Sequence, residues 1–309
     1  MSRLLVVGDL VDDISVRALD DVTAASDTNA EIRLRPGGSA GNVAAWLGHL
    51  GADVVFCGRV GADAVERHAG ALAECGVEAH VTGDRDRTTA TIVLQIDREG
   101  ERTMFVDRGA NSGLVAEDVP AESWRDVIWL HLTGYSFFDA ATRPVALEIV
   151  AEARRREVGV SVDPSSVAFL RAVGVEAFLG WIDGVDVVLP NLDEARVLVS
   201  PTGPQIDLDA LAARFPHVVV TLGSMGAAYL GVAGRTQVTA PRVDVVDTTG
   251  AGDAFAAGFL SRWVDGAASE DALESGRTAA ETCVAHLGAR PVTASGAGSS
   301  LSGPDPPLL

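Results

Sequence analysis

Short apolar runs alternate along the chain with stretches in which apolar residues recur every three or four positions. The runs are short and compact, which is typical of buried strands, and they predict strands at 4–7, 54–58, 127–132, 158–162, 185–189 and 218–222. Helical spacing, seen in Val43, Trp46, Leu47 and Leu50, predicts helices from near Asn42 and at 64–75, 143–157, 192–199, 252–264 and 270–286. Strands separated by helices predict an α/β fold, with a mostly parallel sheet covered by helices on both faces.

Two segments interrupt this order, at about 14–34 and 88–106, because their apolar and polar residues alternate over short stretches. Such alternation is typical of strands with one covered face, and the polar residues from Asp97 to Gly100 suit a turn between two of them. We therefore expect antiparallel strands that form a small sheet apart from the main one. Residues 294–309 are rich in Ser, Gly and Pro, and we expect a disordered tail there.

The charge balance limits the partners that the chain can bind. Its 309 residues carry a formal net charge of −19, whereas a broad nucleic-acid or acidic-membrane surface needs clustered positive charge. All 24 basic residues are Arg, and the sequence contains no Lys. This excludes a Walker P-loop and the strand lysine of protein kinases. If the chain handles ATP, backbone N–H groups, Arg and a metal must neutralise the phosphates.

The cysteines and the apolar segments indicate a cytoplasmic protein. Cys57, Cys75 and Cys283 are widely spaced without a C-x-x-C pattern, so neither a zinc site nor a disulfide framework is indicated. The first residues read as a strand and lack the longer apolar region of a signal peptide. No run reaches the roughly 18 apolar residues of a membrane span. A reducing cytoplasm is the expected compartment.

The strongest local motif is Asp-Thr-Thr-Gly-Ala-Gly-Asp-Ala-Phe, from Asp247 to Phe255, at the start of a predicted helix. Gly250 and Gly252 let the backbone turn its N–H groups towards one point, where the helix N-terminus adds the positive end of its dipole. The motif therefore predicts a phosphate cradle with Asp253 beside it. In isolation, an Asp at a helix start is about as often a simple cap.

This phrase resembles the C-terminal signature of the ribokinase-like sugar kinases, also called the phosphofructokinase-B family. An earlier phrase, Pro-Gly-Gly-Ser-Ala-Gly-Asn-Val-Ala from Pro36 to Ala44, resembles the N-terminal signature of the same family. The resemblance extends from Leu4 to about Pro291. It implies a three-layer α/β/α kinase domain over 1–293, with a small β-sheet lid made from about 12–35 and 86–108.

Three weaker phrases resemble the family in the same order. The stretch from Gly8 to Asp13 resembles its first strand and loop, and Asn191-Leu192-Asp193-Glu194 resembles an Asn-x-x-Glu motif near magnesium and phosphates. The third resembles its nucleotide-binding loop, with expected contacts at Thr221, Gly223, Ser224 and Gly226. Taken singly, the three phrases also suit an acidic loop, a helix cap and a strand-to-hairpin turn.

The resemblance implies an ATP-dependent kinase that phosphorylates a hydroxymethyl group of a sugar or sugar-like substrate. A sugar hydroxyl is a poor nucleophile, so Asp253 within hydrogen-bond reach should accept its proton. The charge on the transferred phosphoryl oxygens needs fixed donors, which the N–H groups of Gly250, Ala251 and Gly252 can supply.

The same resemblance implies the substrate and cation contacts. Glu194 would help to hold Mg²⁺ directly or through water, with support from Asn191. Asp247 and carbonyls around Thr249 would hold a monovalent cation such as K⁺. The expected substrate contacts are Asp13, Gly37, Gly38, Asn42 and Asn111, although the Asn111 side chain would equally serve to stabilise its loop.

Other functions stay open. Some members carry a substrate-binding Glu after the central strand, but this chain has Thr133-Gly134-Tyr135-Ser136 there, so plain ribokinase specificity is not indicated. A nucleoside kinase would keep the catalytic residues and add an apolar or aromatic wall beside Asp13. A non-catalytic sugar- or nucleotide-binding regulator would lack the base, yet Asp253 is present. Relatives often dimerise through the lid, so we expect a homodimer.

Overall fold

The computed structural model describes residues 2–22, 25–96, 102–199, 207–232 and 234–293. Its strands are β1 (Arg3–Val7), β2 (Val11–Ala18), β3 (Ala30–Gly37), β4 (Asp53–Gly61), β5 (Glu78–Asp84), β6 (Ala90–Ile96), β7 (Arg102–Asp107), β8 (Val127–Thr133), β9 (Gly159–Asp163), β10 (Val187–Val188), β11 (His217–Thr221), β12 (Ala227–Gly231) and β13 (Gly234–Val238). Its helices are α1 (Ser39–His49), α2 (Val65–Ala73), α3 (Tyr135–Phe138), α4 (Arg143–Arg155), α5 (Val167–Val173), α6 (Val175–Trp181), α7 (Leu192–Val199), α8 (Leu208–Ala212), α9 (Ala251–Trp263) and α10 (Ser269–Val284).

Most strands form one large sheet in the order β13-β12-β11-β10-β9-β8-β1-β4-β5. Neighbours pair in parallel from β11 through β5, whereas β12 and β13 add an antiparallel edge. Successive β1 residues point to opposite faces, so Leu4 and Val6 enter one core cluster while Leu5 and Val7 enter the other. The first cluster includes residues of α1, α2, α9 and α10, and the second includes residues of α4 and α6 to α8. The expected three layers are confirmed.

Four strands form the separate small sheet, in the order β3-β2-β6-β7. It consists of two antiparallel pairs, as expected, but the pairs join through parallel pairing of β2 with β6. The prediction of wholly antiparallel strands was therefore wrong. Strands β2 and β6 leave the main sheet in the same direction and therefore pair in parallel. The alternation of apolar and polar residues within each strand does not encode this relation. The predicted turn at 97–100 and the predicted tail at 294–309 lie outside the described residues.

The helix and strand predictions differ from the structure mainly at element ends. Helix α1 begins at Ser39, three residues before Asn42, because Asp9 accepts hydrogen bonds from the backbone N–H groups of Ser39 and Ala40. Strand β10 keeps only Val187 and Val188 of the predicted 185–189 run. The strand predictions missed β5, β12 and β13, because these segments lack the compact apolar run of the other main-sheet strands.

Parallel pairing brings several polar side chains to one edge of the main sheet. Asp9 follows β1, Asp163 ends β9, Asn191 follows β10 and Thr221 ends β11. In open α/β sheets, ligands bind in the crevice beyond the carboxyl ends of the strands. The small sheet stands over this edge, since β2 leaves the main sheet directly after β1.

The cysteines and helices add two observations. Cys57, Cys75 and Cys283 are all buried and free of disulfides. Burial raises the pKa of the Cys57 and Cys283 thiols to about 12, so neither is a ready nucleophile. Among the described residues, no helix combines the length and the apolar character needed to cross a membrane.

Candidate active site

A cleft of about 1280 Å³ separates the small sheet from the carboxyl ends of the main-sheet strands. Its wall also includes the starts of α1 and α9 and the chain segment 286–293. Most of the predicted site residues, which are far apart in sequence, line this one cleft. They are Asp13, Gly38, Asn42, Asn111, Asn191, Glu194, Thr221, Asp247, Thr249, Gly250, Ala251, Gly252 and Asp253.

Asp253 lies in the first turn of α9, and its carboxylate is held from the side of α1. Ser39 Oγ donates to Oδ1 at 2.7 Å, and Asn42 Nδ2 donates to Oδ2 at 2.8 Å. Burial raises the pKa of Asp253 to about 8; the charges of Asp163 and Asp9 act in the same direction, and the two hydrogen bonds oppose them. A carboxylate with a pKa near the working pH is suited to general-base catalysis.

The backbone before Asp253 forms a tight turn into α9. Gly250 has a φ of 77°, and an added Cβ would lie 2.5 Å from the Cβ of Ala289, so a larger residue would not fit. The N–H of Ala251 donates to the Thr248 carbonyl over a long 3.3 Å, whereas no described residue accepts a hydrogen bond from the N–H of Gly252. Donors in the first turn of this helix are therefore open to an anion.

Asp247 fixes the loop that leads into the turn. Its Oδ1 accepts the backbone N–H of Thr249 at 3.0 Å and the Thr249 hydroxyl at 2.7 Å, and its Oδ2 accepts the N–H of Gly288 at 3.1 Å. The Thr249 carbonyl accepts the Cys283 thiol at 3.4 Å. The groups to which the resemblance assigns a monovalent cation thus already have protein partners, which hold the loop in shape.

Asp13 and Asn42 lie close to a cation, Arg290, that the sequence analysis missed. Burial raises the pKa of Asp13 to about 6, and the charge of Arg290 opposes this rise. Arg290 Nε donates to Asn42 Oδ1 at 3.2 Å, and Nη2 donates to the Gly37 carbonyl at 2.9 Å. Gly37 lies against Asp13, since an added Cβ would be 2.0 Å from Asp13 Oδ2. No motif surrounds Arg290 in the sequence, so nothing there singled it out.

Asn111 clamps the loop after β1. Its Nδ2 donates to the Leu10 carbonyl at 3.0 Å, and its Oδ1 accepts the Leu10 N–H at 3.3 Å. This geometry favours the loop-stabilising role over substrate contact. Asp9, which caps α1, was given no role in the sequence analysis, although its place directly after a buried strand was the available signal.

Asn191 and Glu194 form a capping box at the start of α7. Asn191 Oδ1 accepts the N–H of Glu194 at 2.9 Å, and Glu194 Oε2 accepts the N–H of Asn191 at 2.9 Å. Burial raises the pKa of Glu194, and burial together with the charge of Glu194 raises the pKa of Asp163. Two neighbouring carboxyl groups that resist ionisation together form a place where a cation would be favourable.

The predicted nucleotide loop is only partly in the cleft. Thr221 lines it, and its N–H donates to the Pro190 carbonyl at 3.1 Å. Gly223, Ser224 and Gly226 form the turn between β11 and β12 and do not line the cleft. The Leu222 N–H donates to the Gly226 carbonyl at 2.8 Å, as in a hairpin turn. In the described structure, the strand-to-hairpin interpretation accounts for these three residues.

The small sheet gives the cleft an apolar wall. Strand register places Ile92 beside Asp13 and Val106 beside Ile92 on one face, and all three line the cleft. Two further lining residues, Leu94 and Met104, pair on the same face. The cleft therefore joins a polar floor, built by the main sheet, to an apolar roof.

Comparison with known proteins gives the family. The model of the pfkB family carbohydrate kinases matches residues 1–294. The chain belongs to the pfkB family of carbohydrate kinases. The ribokinase-like fold and the family resemblance of the two glycine-rich phrases are thereby confirmed.

The relatives of this chain are named for different substrates. It is 32% identical to a fructokinase of Escherichia coli, over 86% of this chain and 88% of that one. It is 31% identical to an ATP-dependent ribose-1-phosphate kinase of Halopiger xanaduensis, over 94% of each chain. The solved structure of an adenosine kinase from Sinorhizobium meliloti superposes with a TM-score of 0.82 at 25% identity, covering 96% of this chain and 97% of that one.

The elevated pKa of Asp253 predicts how turnover depends on pH. If the ionised carboxylate is the base, log kcat/KM should rise with pH and level off above about pH 8. Ser39→Ala removes a hydrogen bond that lowers this pKa, so the acid limb should move to higher pH, by roughly one unit. The check is kcat/KM between pH 5 and 9.5.

Ser261→Ala is the matched control for this pH series. Its hydroxyl lies on the same helix and donates to the Gly258 carbonyl, away from the base. The control should leave the acid limb in place. An acid limb that does not move in Ser39→Ala would contradict the assignment of that limb to Asp253.

Proposed function

We propose that this chain transfers the γ-phosphoryl group of ATP to a hydroxymethyl group of a sugar or sugar-like substrate, with Asp253 as the general base. The observation that carries the proposal is the Asp253 carboxylate, held by Ser39 and Asn42 at the N-terminus of α9 beside open backbone donors. The family and its ATP-dependent relatives support it.

In the proposed reaction, the substrate hydroxyl gives its proton to Asp253 while its oxygen forms a bond to the γ-phosphorus. The bond from that phosphorus to the β–γ bridging oxygen breaks, and ADP leaves. The N–H groups at Gly250 to Gly252 stabilise the charge on the transferred oxygens without having to reorganise, because the loop around Asp247 is already fixed. No lysine is needed for this task.

The residues near Glu194 fit a Mg²⁺ ion that binds mainly through water and phosphate oxygens. Within the described ranges, no three His, Cys, Asp or Glu side chains are arranged to hold a metal. Mg²⁺ ordinarily keeps several waters and takes one or two carboxylates, which Glu194 and Asp163 provide. When bound, the ion would neutralise phosphate charge.

We also propose that K⁺ binds beside the loop from Asp247 to Thr249, as the family resemblance implies. Its role would be to hold the donor groups at Gly250 to Gly252 in place, together with the hydrogen bonds described above. Activity that is identical in K⁺ and in a bulky organic cation, at matched ionic strength, would remove this part of the proposal.

The proposal further treats residues 1–293 as one kinase domain whose lid comprises about 12–35 and 86–108. The two segments contribute the strands of the small sheet over the cleft, which supports this division. Three free, buried cysteines suit a reducing cytoplasm as the site of action. Limited proteolysis and cell fractionation are the respective checks.

Asp253→Asn is the central test of the proposed function. It keeps the side-chain size, and Asn is acceptable at a helix start, so folding and nucleotide binding should survive. Because Asn has no basicity, kcat should fall by about 10²- to 10⁴-fold. The measurements are kcat, nucleotide affinity and melting temperature on one preparation.

Asp271→Asn, in the exposed first turn of α10, is the matched control and should keep its turnover. If a folded Asp253→Asn variant turns over nearly normally, Asp253 is a cap and not the base. A chain that binds sugar and nucleotide but consumes no ATP would instead indicate the non-catalytic regulator.

A nucleoside is the second candidate substrate, favoured by the apolar wall beside Asp13. Met104 and Val106 line the cleft yet remain 61% and 57% exposed, and the cleft exceeds the roughly 300 to 1,000 Å³ of a typical ligand site. We propose that the lid closes over the substrate and covers these side chains. A planar base would bury them, whereas a free sugar offers little apolar surface.

A substrate panel with Met104→Ser separates the two candidates. If nucleosides are the substrates, Met104→Ser should lower their kcat/KM by roughly tenfold, because apolar contact is lost. Thr103→Ala, on the other face of β7, is the control and should change nothing. Turnover of free sugars alone, unaffected by Met104→Ser, would favour the sugar.

The other face of the lid supports the expected homodimer. Register places Ile14, Leu34, Val93 and Phe105 in one apolar row across the four strands. Leu34 and Phe105 are 55% and 57% exposed, a costly arrangement for an uncovered sheet. We propose that a second copy covers this face.

Phe105→Asp should convert the proposed dimer to monomer, because it places a charge in the apolar row at a residue that does not line the cleft. Light scattering after size exclusion measures the mass. Val232→Asp, at an 86% exposed position in the turn after β12, is the control and should keep the dimer. A monomeric wild-type chain at micromolar concentration would refute the proposal.

A further inference from the structure

Arg290 lies in the wall of the cleft, close to Asp13 and Asn42. Nε donates to Asn42 Oδ1 at 3.2 Å, and Nη2 donates to the Gly37 carbonyl at 2.9 Å. Nη1 is buried and has no hydrogen-bond partner within the described structure. Burial lowers the pKa of Arg290 to about 10, so the guanidinium is still charged at neutral pH.

Two local features hold this guanidinium in place. The indole N–H of Trp46 donates to the Ala289 carbonyl at 2.8 Å, which anchors the preceding residue to α1. Gly41 makes room for the guanidinium, since an added Cβ would lie 2.6 Å from Nη2. The charges of Asp13, Asp9 and Asp253 favour the charged guanidinium, but both of its described hydrogen-bond acceptors are neutral, and burial of such a cation costs stability. Packing alone therefore does not account for an arginine here.

The contact with Asn42 decides which way its side-chain amide faces. A guanidinium carries only donors, so the Asn42 oxygen must face Arg290. The amide nitrogen then faces Asp253, where it donates at 2.8 Å. In the flipped orientation, the amide oxygen would lie against the carboxylate and the amide nitrogen against the guanidinium. Both contacts would be repulsive.

We propose that Arg290 is a positioning residue that locks the Asn42 amide in the orientation that donates to Asp253. This inference rests on the proposed function, in which Asp253 is the base. Arg290 acts through Asn42, so its loss should change the ionisation of Asp253.

The sign of that change follows from the groups around Asp253. Loss of Arg290 removes a nearby positive charge and frees the amide to flip, and both effects raise the pKa of Asp253. The anionic neighbours Asp9 and Asp163 already raise it, and the Ser39 hydroxyl would remain as a donor. The further titratable groups that face Asp253 are Glu194, Tyr135 and Cys283.

The test is a ¹³C carboxyl titration of Asp253 in the unliganded enzyme, with the resonance assigned from Asp253→Asn. In Arg290→Met, the titration midpoint should rise by about one pH unit or more, the effect of one hydrogen bond to a charged group. Arg171→Met, on the exposed side of α5, is the matched control and should leave the midpoint unchanged. The acid limb of kcat/KM should shift with the midpoint.

Two more variants separate orientation from charge. Arg290→Lys keeps the charge but not the planar fork that joins Asn42 to Gly37, so it should restore the midpoint only in part. In an Asn42→Ala background, Arg290→Met should shift the midpoint much less than in the wild-type chain, because the amide is gone. Fully additive shifts would refute action through Asn42.

The outcomes distinguish this inference from the proposed function. The titration needs no turnover. An inactive wild-type chain would therefore refute the kinase proposal, and the titration would still test whether Arg290 acts on Asp253 through Asn42. A raised KM with an unchanged Asp253 midpoint would make Arg290 a substrate contact, and a lowered melting temperature alone would make it structural. Either result overturns the inference.

Gly41→Ala covers the case in which Arg290→Met does not fold. Its added methyl group displaces Nη2 while the arginine stays, so the midpoint of Asp253 should move in the same direction. A folded Gly41→Ala variant with the wild-type midpoint would also overturn the inference.

Discussion

The hydrogen bond from Asn42 to Asp253 joins the two helices whose N-termini form the site. Helix α1 comes from the first part of the chain and α9 from the last, and the two pack against each other on one face of the main sheet. Ser39 adds a second bond to the same carboxylate, and Arg290 holds the far end of the Asn42 amide. The Asp253 carboxylate is therefore oriented by side chains from another helix, through the hydrogen bonds from Ser39 and Asn42.

The chemistry of the site follows from the lack of lysine. Phosphate charge has to be met by backbone donors, Arg and a metal ion, and Gly250 allows the chain to turn its backbone donors towards the cleft. Burial, together with the charges of neighbouring carboxylates, raises the pKa of Asp253, Asp163 and Glu194. A cleft with several carboxyl groups that resist ionisation is poised for cationic ligands, because each added positive charge favours the ionised forms.

The small sheet has two apolar faces with different surroundings. One faces the cleft with Ile92 and Val106, and the other carries Val93 and Phe105, which do not line it. A four-stranded sheet without helices cannot cover both faces by itself. In the proposed function, substrate on one side and a second subunit on the other would supply the missing cover.

Much of the fold was predictable from sequence, because local periodicity encodes it. Apolar runs predicted the parallel strands of the main sheet except β5, and the two glycine-rich phrases indicated the family, since backbone geometry at Gly250 restricts the residue type. The parallel pairing of β2 with β6 was not predictable in this way, because it joins segments that are remote in sequence. Strands β5, β12 and β13 were missed because their sequences lack a compact apolar run.

The sequence by itself determined the α/β class, the phosphate-cradle motif and Asp253 as the candidate base. Only the tertiary structure decided which side chains surround that base. The sequence did not place Asp9, Asp163 or Arg290 beside Asp253, and their positions come from the convergence of strand ends with the C-terminal segment at one cleft. The roles of Asn111 and Gly226 also depend on their neighbours in space. Asn111 stabilises a loop because it contacts Leu10, and Gly226 belongs to a hairpin turn because its carbonyl accepts a hydrogen bond from Leu222. Hydrogen bonding and desolvation act over a few ångströms of space, and sequence distance does not record that proximity.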